Sequence, residues 1–303
     1  MSSRLRRGID GIDKRVGRIV ATRRIASFDP ATTTVVAGAG RSGTTWLAEL
    51  LAGAFDALEV FEPLHPQQTP AGEAGFGHLG ALAPDESLTA SQRTYLHAAL
   101  AGEIRSSWTI RPVSARPAMG ARTRLIKFVR ANGYLHQLAP LTARPPIVIV
   151  RGPIATVSSQ LRQHGWGHPG PDTLRRVLAR FPDLLGLLDR LDGQPHQMRA
   201  LAWVIETRCA LSTGGPRPWA LVHYEQLVEA PATLLDRLGR VVGEPITVPV
   251  DVDRPSRTAF ADRPVAIEVT STMATEIAEI AAEGVAAYAG DELVAPAALE
   301  PTA

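Results

Sequence analysis

The part of this chain best equipped for chemistry is a glycine-rich turn with one cation inside it, Gly38-Ala39-Gly40-Arg41-Ser42-Gly43-Thr44-Thr45-Trp46. Glycines let a backbone wrap closely around an anion, and the turn's N–H groups, with the positive end of a following helix, can point at that anion. Ser42, Thr44 and Thr45 add hydroxyl donors, and Arg41 adds a permanent charge. Gly38 and Gly43 keep the spacing of a triphosphate-binding loop, but Thr44 stands where such a loop carries the lysine that reaches the β and γ phosphates. The turn therefore suits a 5′-phosphate carrying one transferable group, with Arg41 beside the bridging oxygen.

Two further clusters belong with it. The apolar run Ile147-Val148-Ile149-Val150 reads as a strand buried on both faces, and it ends in Arg151-Gly152-Pro153. Proline starts a helix there, which puts Arg151 at the strand's carboxyl end and Ser159, with Ser158 as the neighbouring alternative, about two turns into the helix. Ligands of open parallel sheets bind beyond the carboxyl ends of strands, so two anion sites in one crevice suit a molecule with two separated phosphates. The third cluster starts from composition. Of 32 basic residues only Lys14 and Lys127 are lysine, and lysine and arginine are not interchangeable at a tight site. Lys127 interrupts the apolar strand Arg124 to Val129, where its charge is partly buried unless an anion pairs with it. For a proton acceptor the sequence offers Glu62, at the end of Leu58-Glu59-Val60-Phe61, and in reserve His65, a neutral imidazole near pH 7.

Arg41-Ser42-Gly43-Thr44-Thr45-Trp46 resembles the 5′-phosphosulfate-binding loop of sulfotransferases that use 3′-phosphoadenosine 5′-phosphosulfate (PAPS). The resemblance implies that Arg151 and Ser159 grip the 3′-phosphate, that Lys127 contacts the sulfonate being transferred, and that Trp46 stacks on adenine. Arg130-Ala131-Asn132 is similar to the strand-end segment of the family's bacterial branch. The histidine that the branch acting on phenols and steroids carries two residues after the lysine is replaced by Val129, whereas Phe61-Glu62-Pro63-Leu64 resembles the segment of carbohydrate sulfotransferases whose glutamate is the proposed base. Arg254, Ser256 and Arg257 lie where relatives close a loop over the 3′-phosphate, although the family's Arg-Lys-Gly signature is absent. The implied reaction is in-line transfer of a sulfuryl group from PAPS to a hydroxyl of a sugar, glycolipid or small-molecule alcohol, leaving adenosine 3′,5′-bisphosphate. Two other classes stay open: a kinase-like phosphotransferase using ATP and magnesium, and a nucleotide-binding module without catalysis.

The elements that must position these residues follow from length and pattern. A chain of 303 residues, 45% hydrophobic, with strands alternating with helical stretches predicts an α/β, P-loop-like three-layer fold around a mainly parallel sheet. The expected organisation is a basic amphipathic segment over 1–30, one domain over 31–290 and a flexible tail over 291–303. Ile9, Ile12, Val16, Ile19 and Val20 form an apolar stripe among arginines, read chiefly as packing on the chain's own domain, with a membrane surface or a protein partner as the other readings. The region from Pro66 to Arg122 is Gly-, Pro- and Ala-rich with one helical stretch near Gln92 to Ser106, and acceptor specificity is expected to be written there. No apolar run spans a bilayer, and the single cysteine, Cys209, read as a small buried residue, fits a reducing, cytoplasmic setting, peripheral to the membrane's inner face if the basic helix binds there. His164 and His168 have metal-ligand spacing only on a helix, which the two intervening glycines oppose, so no metal is expected. A net charge of +2 does not suggest nucleic acid, Glu225 reads as structural, and the oligomeric state is open.

Overall fold

The computed structural model describes residues 3–82, 85–163, 169–211, 217–246 and 267–285, with the side chains of 3–9 left aside. Among these, β1 (Thr34–Gly38), β2 (Ala57–Phe61), β3 (Thr123–Phe128), β4 (Ile147–Val150) and β5 (Ala220–His223) make one sheet in the order β2-β3-β1-β4-β5. Every pairing is parallel, as the near-continuous apolar runs require. The helices are α1 (Ser3–Arg24), α2 (Thr44–Ala54), α3 (Ala90–Leu100), α4 (Ala115–Gly120), α5 (Leu135–Leu138), α6 (Pro153–Leu161), α7 (Pro171–Leu178), α8 (Leu185–Asp189), α9 (Pro195–Leu211), α10 (Tyr224–Glu229), α11 (Pro231–Val242) and α12 (Ser271–Val285).

Alternation along the strands divides the core. Val35 and Ala37 of β1, Ile126 and Phe128 of β3 and Val148 and Val150 of β4 face one layer, which includes Leu96 of α3 and Leu135 and Leu138 of α5. Val36, Leu125, Ile147 and Ile149 face the other, with Leu47 and Leu51 of α2 and Leu234, Leu235 and Leu238 of α11. A third cluster joins α6 to α9 with α12. This is the α/β architecture read from the sequence. From β1 the chain crosses to β2 at one edge, returns to β3, and then crosses to β4 on β1's other side, so the turn after β1 opens at a topological switch point.

The N-terminal helix packs differently from expectation. Gly17, Ala21 and Ile25 form the inward face, and an added Cβ on Gly17 would lie 2.0 Å from the Val113 carbonyl oxygen, a closeness that only glycine permits. Asp13 Oδ1 accepts from the Ala115 N–H at 3.1 Å at the start of α4, and Arg24 donates to the carbonyls of Ala118 and Ala121 at 2.8 Å, and to that of Met119, at its end. A negative charge thus sits at the positive end of α4 and a positive charge at its negative end. Small residues let the two backbones approach, so Ile12, Val16 and Ile19, three members of the predicted packing stripe, are left exposed.

Candidate functional site

The turn after β1 is shaped by backbone conformation. Gly43 caps α2 at φ 93°, and an added Cβ there would lie 2.4 Å from Tyr224 Cδ2; one on Gly38 would lie 2.6 Å from the Ile149 carbonyl oxygen. Gly43→Ala is therefore expected to lower stability by about 1–3 kcal/mol and to shift the turn's amides, read as a lower chemical-denaturation midpoint. Arg41 adopts φ 72°, where side chains are rare. Thr44 and Thr45 are buried in the first turn of α2, and Ser42 is buried with its Oγ lacking a hydrogen-bond partner within the described protein. A buried hydroxyl of that kind is what a ligand's oxygen could satisfy. Trp46 packs edge-to-face on Tyr224 with ring centroids 5.8 Å apart, and the Arg151 guanidinium lies 4.2 Å from the centroid of that same tyrosine ring.

The turn after β1 and the segment after β4 meet. Arg41 Nε donates to Ser159 Oγ at 3.0 Å, and Arg151 Nη1 donates to the Arg41 carbonyl at 3.2 Å. A buried polar scaffold fixes both: Gln160 donates through Nε2 to the Gly40 carbonyl at 2.8 Å and accepts at Oε1 from Arg199 Nη1 at 3.2 Å, while Trp203 Nε1 donates to the Arg151 carbonyl at 2.9 Å. Burial pulls the Arg199 guanidinium down to about 10. Glu225 takes the Gly152 N–H at 3.0 Å and so serves the start of α6. Its role is structural, as the sequence suggests. Gln160, Arg199 and Trp203 went unnoticed in the sequence, although an arginine inside the apolar run of α9 was a visible signal.

The third cluster lies at the carboxyl ends of β2 and β3. Phe61 registers with Lys127, and the Glu62 N–H bonds the Lys127 carbonyl at 2.8 Å, carrying the ladder one residue beyond β2. Glu62 then turns to φ 42°, which aims its carboxylate back at the lysine. Lys127 Nζ donates to Glu62 Oε1 at 2.8 Å, and Arg130 Nη1 stands 3.4 Å from Oε2. The Lys127 side chain is only 1% exposed, and its ammonium lies 3.9 Å from the centroid of the Phe61 ring, with the Arg111 guanidinium at 3.4 Å from the same ring centroid. The lysine that interrupts the strand is thus buried, and the anion paired with it is the Glu62 carboxylate. Burial raises the Glu62 carboxyl, but the charge and hydrogen bond of Lys127, with Arg130 behind it, overcome that and hold it below the ordinary carboxylate range. For Lys127, burial pulls the ammonium down while Glu62 and Glu59 support it.

His65 stands against Trp108, with ring centroids 4.8 Å apart, and against His78 at 5.8 Å. Burial and then Arg130 lower its imidazole to about 4. Its folded pKa lies below its unfolded one, so its contribution to stability is complete above about pH 6.5 and is lost as pH falls toward 4. Glu62 loses its contribution over a more acidic range, as pH falls through its depressed folded pKa. His65→Gln should therefore flatten the fall of the denaturation midpoint between pH 6.5 and 4, and rate profiles should show no inflection near 6.5 from this histidine. On α9, burial raises the Glu206 carboxyl to about 8, with Arg130 offsetting part of the effect.

Arg254, Ser256, Arg257, His164, His168 and the tail 291–303 lie outside the described residues. His136 packs on Trp219 with centroids 5.0 Å apart, and Cys209 is only partly buried by surface, with its thiol pushed up to about 12 by burial. Among the described residues no group of three or more His, Cys, Asp or Glu is placed to hold a metal ion, and no helix is long and apolar enough to cross a membrane.

No protein-family model and no curated protein matches the chain. Among solved structures, a sulfotransferase from Alicyclobacillus acidocaldarius is similar at 12% identity over 86% of this chain and 94% of its own, with a TM-score of 0.43. The sulfotransferase domain from the curacin biosynthetic pathway gives 19% identity, coverage of 82% and 96%, and a TM-score of 0.42. The sulfotransferase domain from the Synechococcus PCC 7002 olefin synthase gives 18%, 82% and 93%, and 0.41. Likenesses this loose carry no functional inference; the side chains of the site do.

Proposed function

We propose that this chain is a sulfotransferase that moves a sulfuryl group from PAPS to an acceptor hydroxyl. The observation that carries the reading is a lysine-free glycine turn joined through Arg41 to Arg151 and Ser159, with the buried Lys127–Glu62 pair at the end of the strand beside β1. The unsatisfied Ser42 hydroxyl and the buried, unpartnered Nε of Arg151 fit a ligand rich in anionic oxygens. Ser42, Gly43, Thr44 and Thr45 would hold the 5′-phosphosulfate with Arg41, Arg151 and Ser159 would hold the 3′-phosphate, and Trp46 would lie beside the adenine. Arg254, Ser256 and Arg257 are proposed for the same 3′ end.

The donor supplies a sulfuryl group on a phosphate leaving group. The protein's part is positioning and charge. Lys127 offers a compact positive charge where negative charge grows on the equatorial and bridging oxygens, and Arg41 shares that task. Glu62 orients the acceptor hydroxyl and takes its proton. Its lowered pKa makes it a weak base, which suffices because the hydroxyl oxygen becomes strongly acidic as its bond to sulfur forms. His65, neutral down to about pH 4, is the second candidate for that proton. The partly exposed Trp108 ring, packed on His65, suits an acceptor with an apolar face, such as a sugar ring or a cyclic alcohol.

The test is incubation with sulfur-labelled PAPS and fractionated extract. The expected result is label in an acceptor, dependent on Lys127. Label that stays on the nucleotide across a broad acceptor panel would reduce the chain to a binding module, and protection from thermal unfolding by magnesium ATP alone would make it kinase-like.

A further inference from the structure

We propose that α1, with the adjoining α4, is a docking surface for an anionic lipid bilayer. Four of the seven large apolar side chains exposed among the described residues belong to these two helices: Ile12 at 67%, Val16 at 43%, Ile19 at 48% and Met119 at 59%. On α1 they recur at spacings of four and three, which makes one ridge along the helix. The ridge is not the helix's attachment to the protein, because Gly17, Ala21, Asp13 and Arg24 provide that from another face. A helix already anchored by one face thus presents a second, apolar face to its surroundings.

Charge selects the occupant. α1 carries eight basic residues against two acidic ones, a net +6. The whole chain is +2, so the remainder of the protein is −4. The positive charge is concentrated on the helix that bears the exposed ridge, with Arg15 and Arg23 exposed beside that ridge and Lys14 paired to Asp10 on another face. An apolar ridge flanked by cations fits the boundary between anionic headgroups and acyl chains, where basic residues near the surface are drawn to the headgroups. The same spacing could form a seam between two copies of the chain, but that would set +6 against +6, and like charges oppose it. Docking here does not depend on the transfer chemistry.

The experiment is co-sedimentation of the full chain with vesicles of phosphatidylcholine alone and of phosphatidylcholine mixed equally with phosphatidylglycerol. Binding is expected to the mixed vesicles and to be at least about tenfold weaker to the neutral ones. Ile12→Glu with Ile19→Glu, both at exposed positions, should weaken it at least about tenfold, with the thermal unfolding midpoint unchanged. Arg15→Glu should weaken it on its own and leave the same midpoint. Absence of binding to the mixed vesicles, or binding that ignores the Ile12 and Ile19 substitutions, would overturn the proposal. So would a dimer in lipid-free buffer that those substitutions dissociate.

Discussion

Replacing Lys127 with alanine is expected to lower sulfuryl turnover by about two to three orders of magnitude, the usual cost of losing one preorganised donor to the transition state. The lysine has no bulk-solvent role, since its side chain is 1% exposed and hydrogen-bonds to Glu62. Breaking a buried ion pair can cost about 3–5 kcal/mol when the surviving charge is stranded. Here Arg130 remains 3.4 Å from the Glu62 carboxylate, so the surviving charge keeps a partner and the stability loss should fall below that range. The check is turnover per folded molecule, with the folded fraction taken from denaturant titration. Lys127→Arg should not rescue it: a planar fork does not fit a fully enclosed point-charge site. Unchanged turnover in folded Lys127→Ala would remove this residue from the mechanism.

Arg41→Gly is expected to separate binding from folding. Arg41 holds φ 72°, a conformation that costs a side-chain-bearing residue about 1–2 kcal/mol and glycine almost nothing. Against that relief stands loss of the charge-assisted hydrogen bond to Ser159, worth about 1.5–3 kcal/mol. Stability should therefore stay within about 2 kcal/mol of the parent. Affinity for adenosine 3′,5′-bisphosphate should nevertheless fall by about 10- to 100-fold, because a charge-assisted hydrogen bond contributes about 1.5–3 kcal/mol. Calorimetry and denaturant unfolding on the same preparation measure both. Parallel losses of stability and affinity would mean that the arginine is a structural strut.

Three residues other than glycine adopt left-handed backbone among those described, and two of them, Arg41 and Glu62, belong to the candidate site. Strain retained at such places is a reason to look for function there. It was invisible in the sequence, because nothing in residue type marks an arginine or a glutamate for positive φ. The glycine turn, the strand-end Arg151 and the lone lysine on an apolar strand were legible, since each breaks a pattern that its neighbours set. The partnership of Lys127 with Glu62 was only half legible. A buried lysine demands an anion, but which one depends on the register of β2 against β3, which no local spacing encodes. Gln160, Arg199 and Trp203 act through the packing of α6 on α9, a long-range relation of the same kind. The N-terminal helix misled for a different reason. Its larger apolar residues set the visible periodicity, while close packing uses Gly17 and Ala21, whose small size is what brings two backbones together.

Titration calorimetry of the folded full chain with adenosine 3′,5′-bisphosphate, alongside adenosine 5′-monophosphate and magnesium ATP, tests the site most directly. Saturable heat from the bisphosphate is expected, with the 5′-monophosphate at least about tenfold weaker for want of the group that Arg151 and Ser159 would hold. No heat with the bisphosphate, or tighter binding of magnesium ATP, would contradict it.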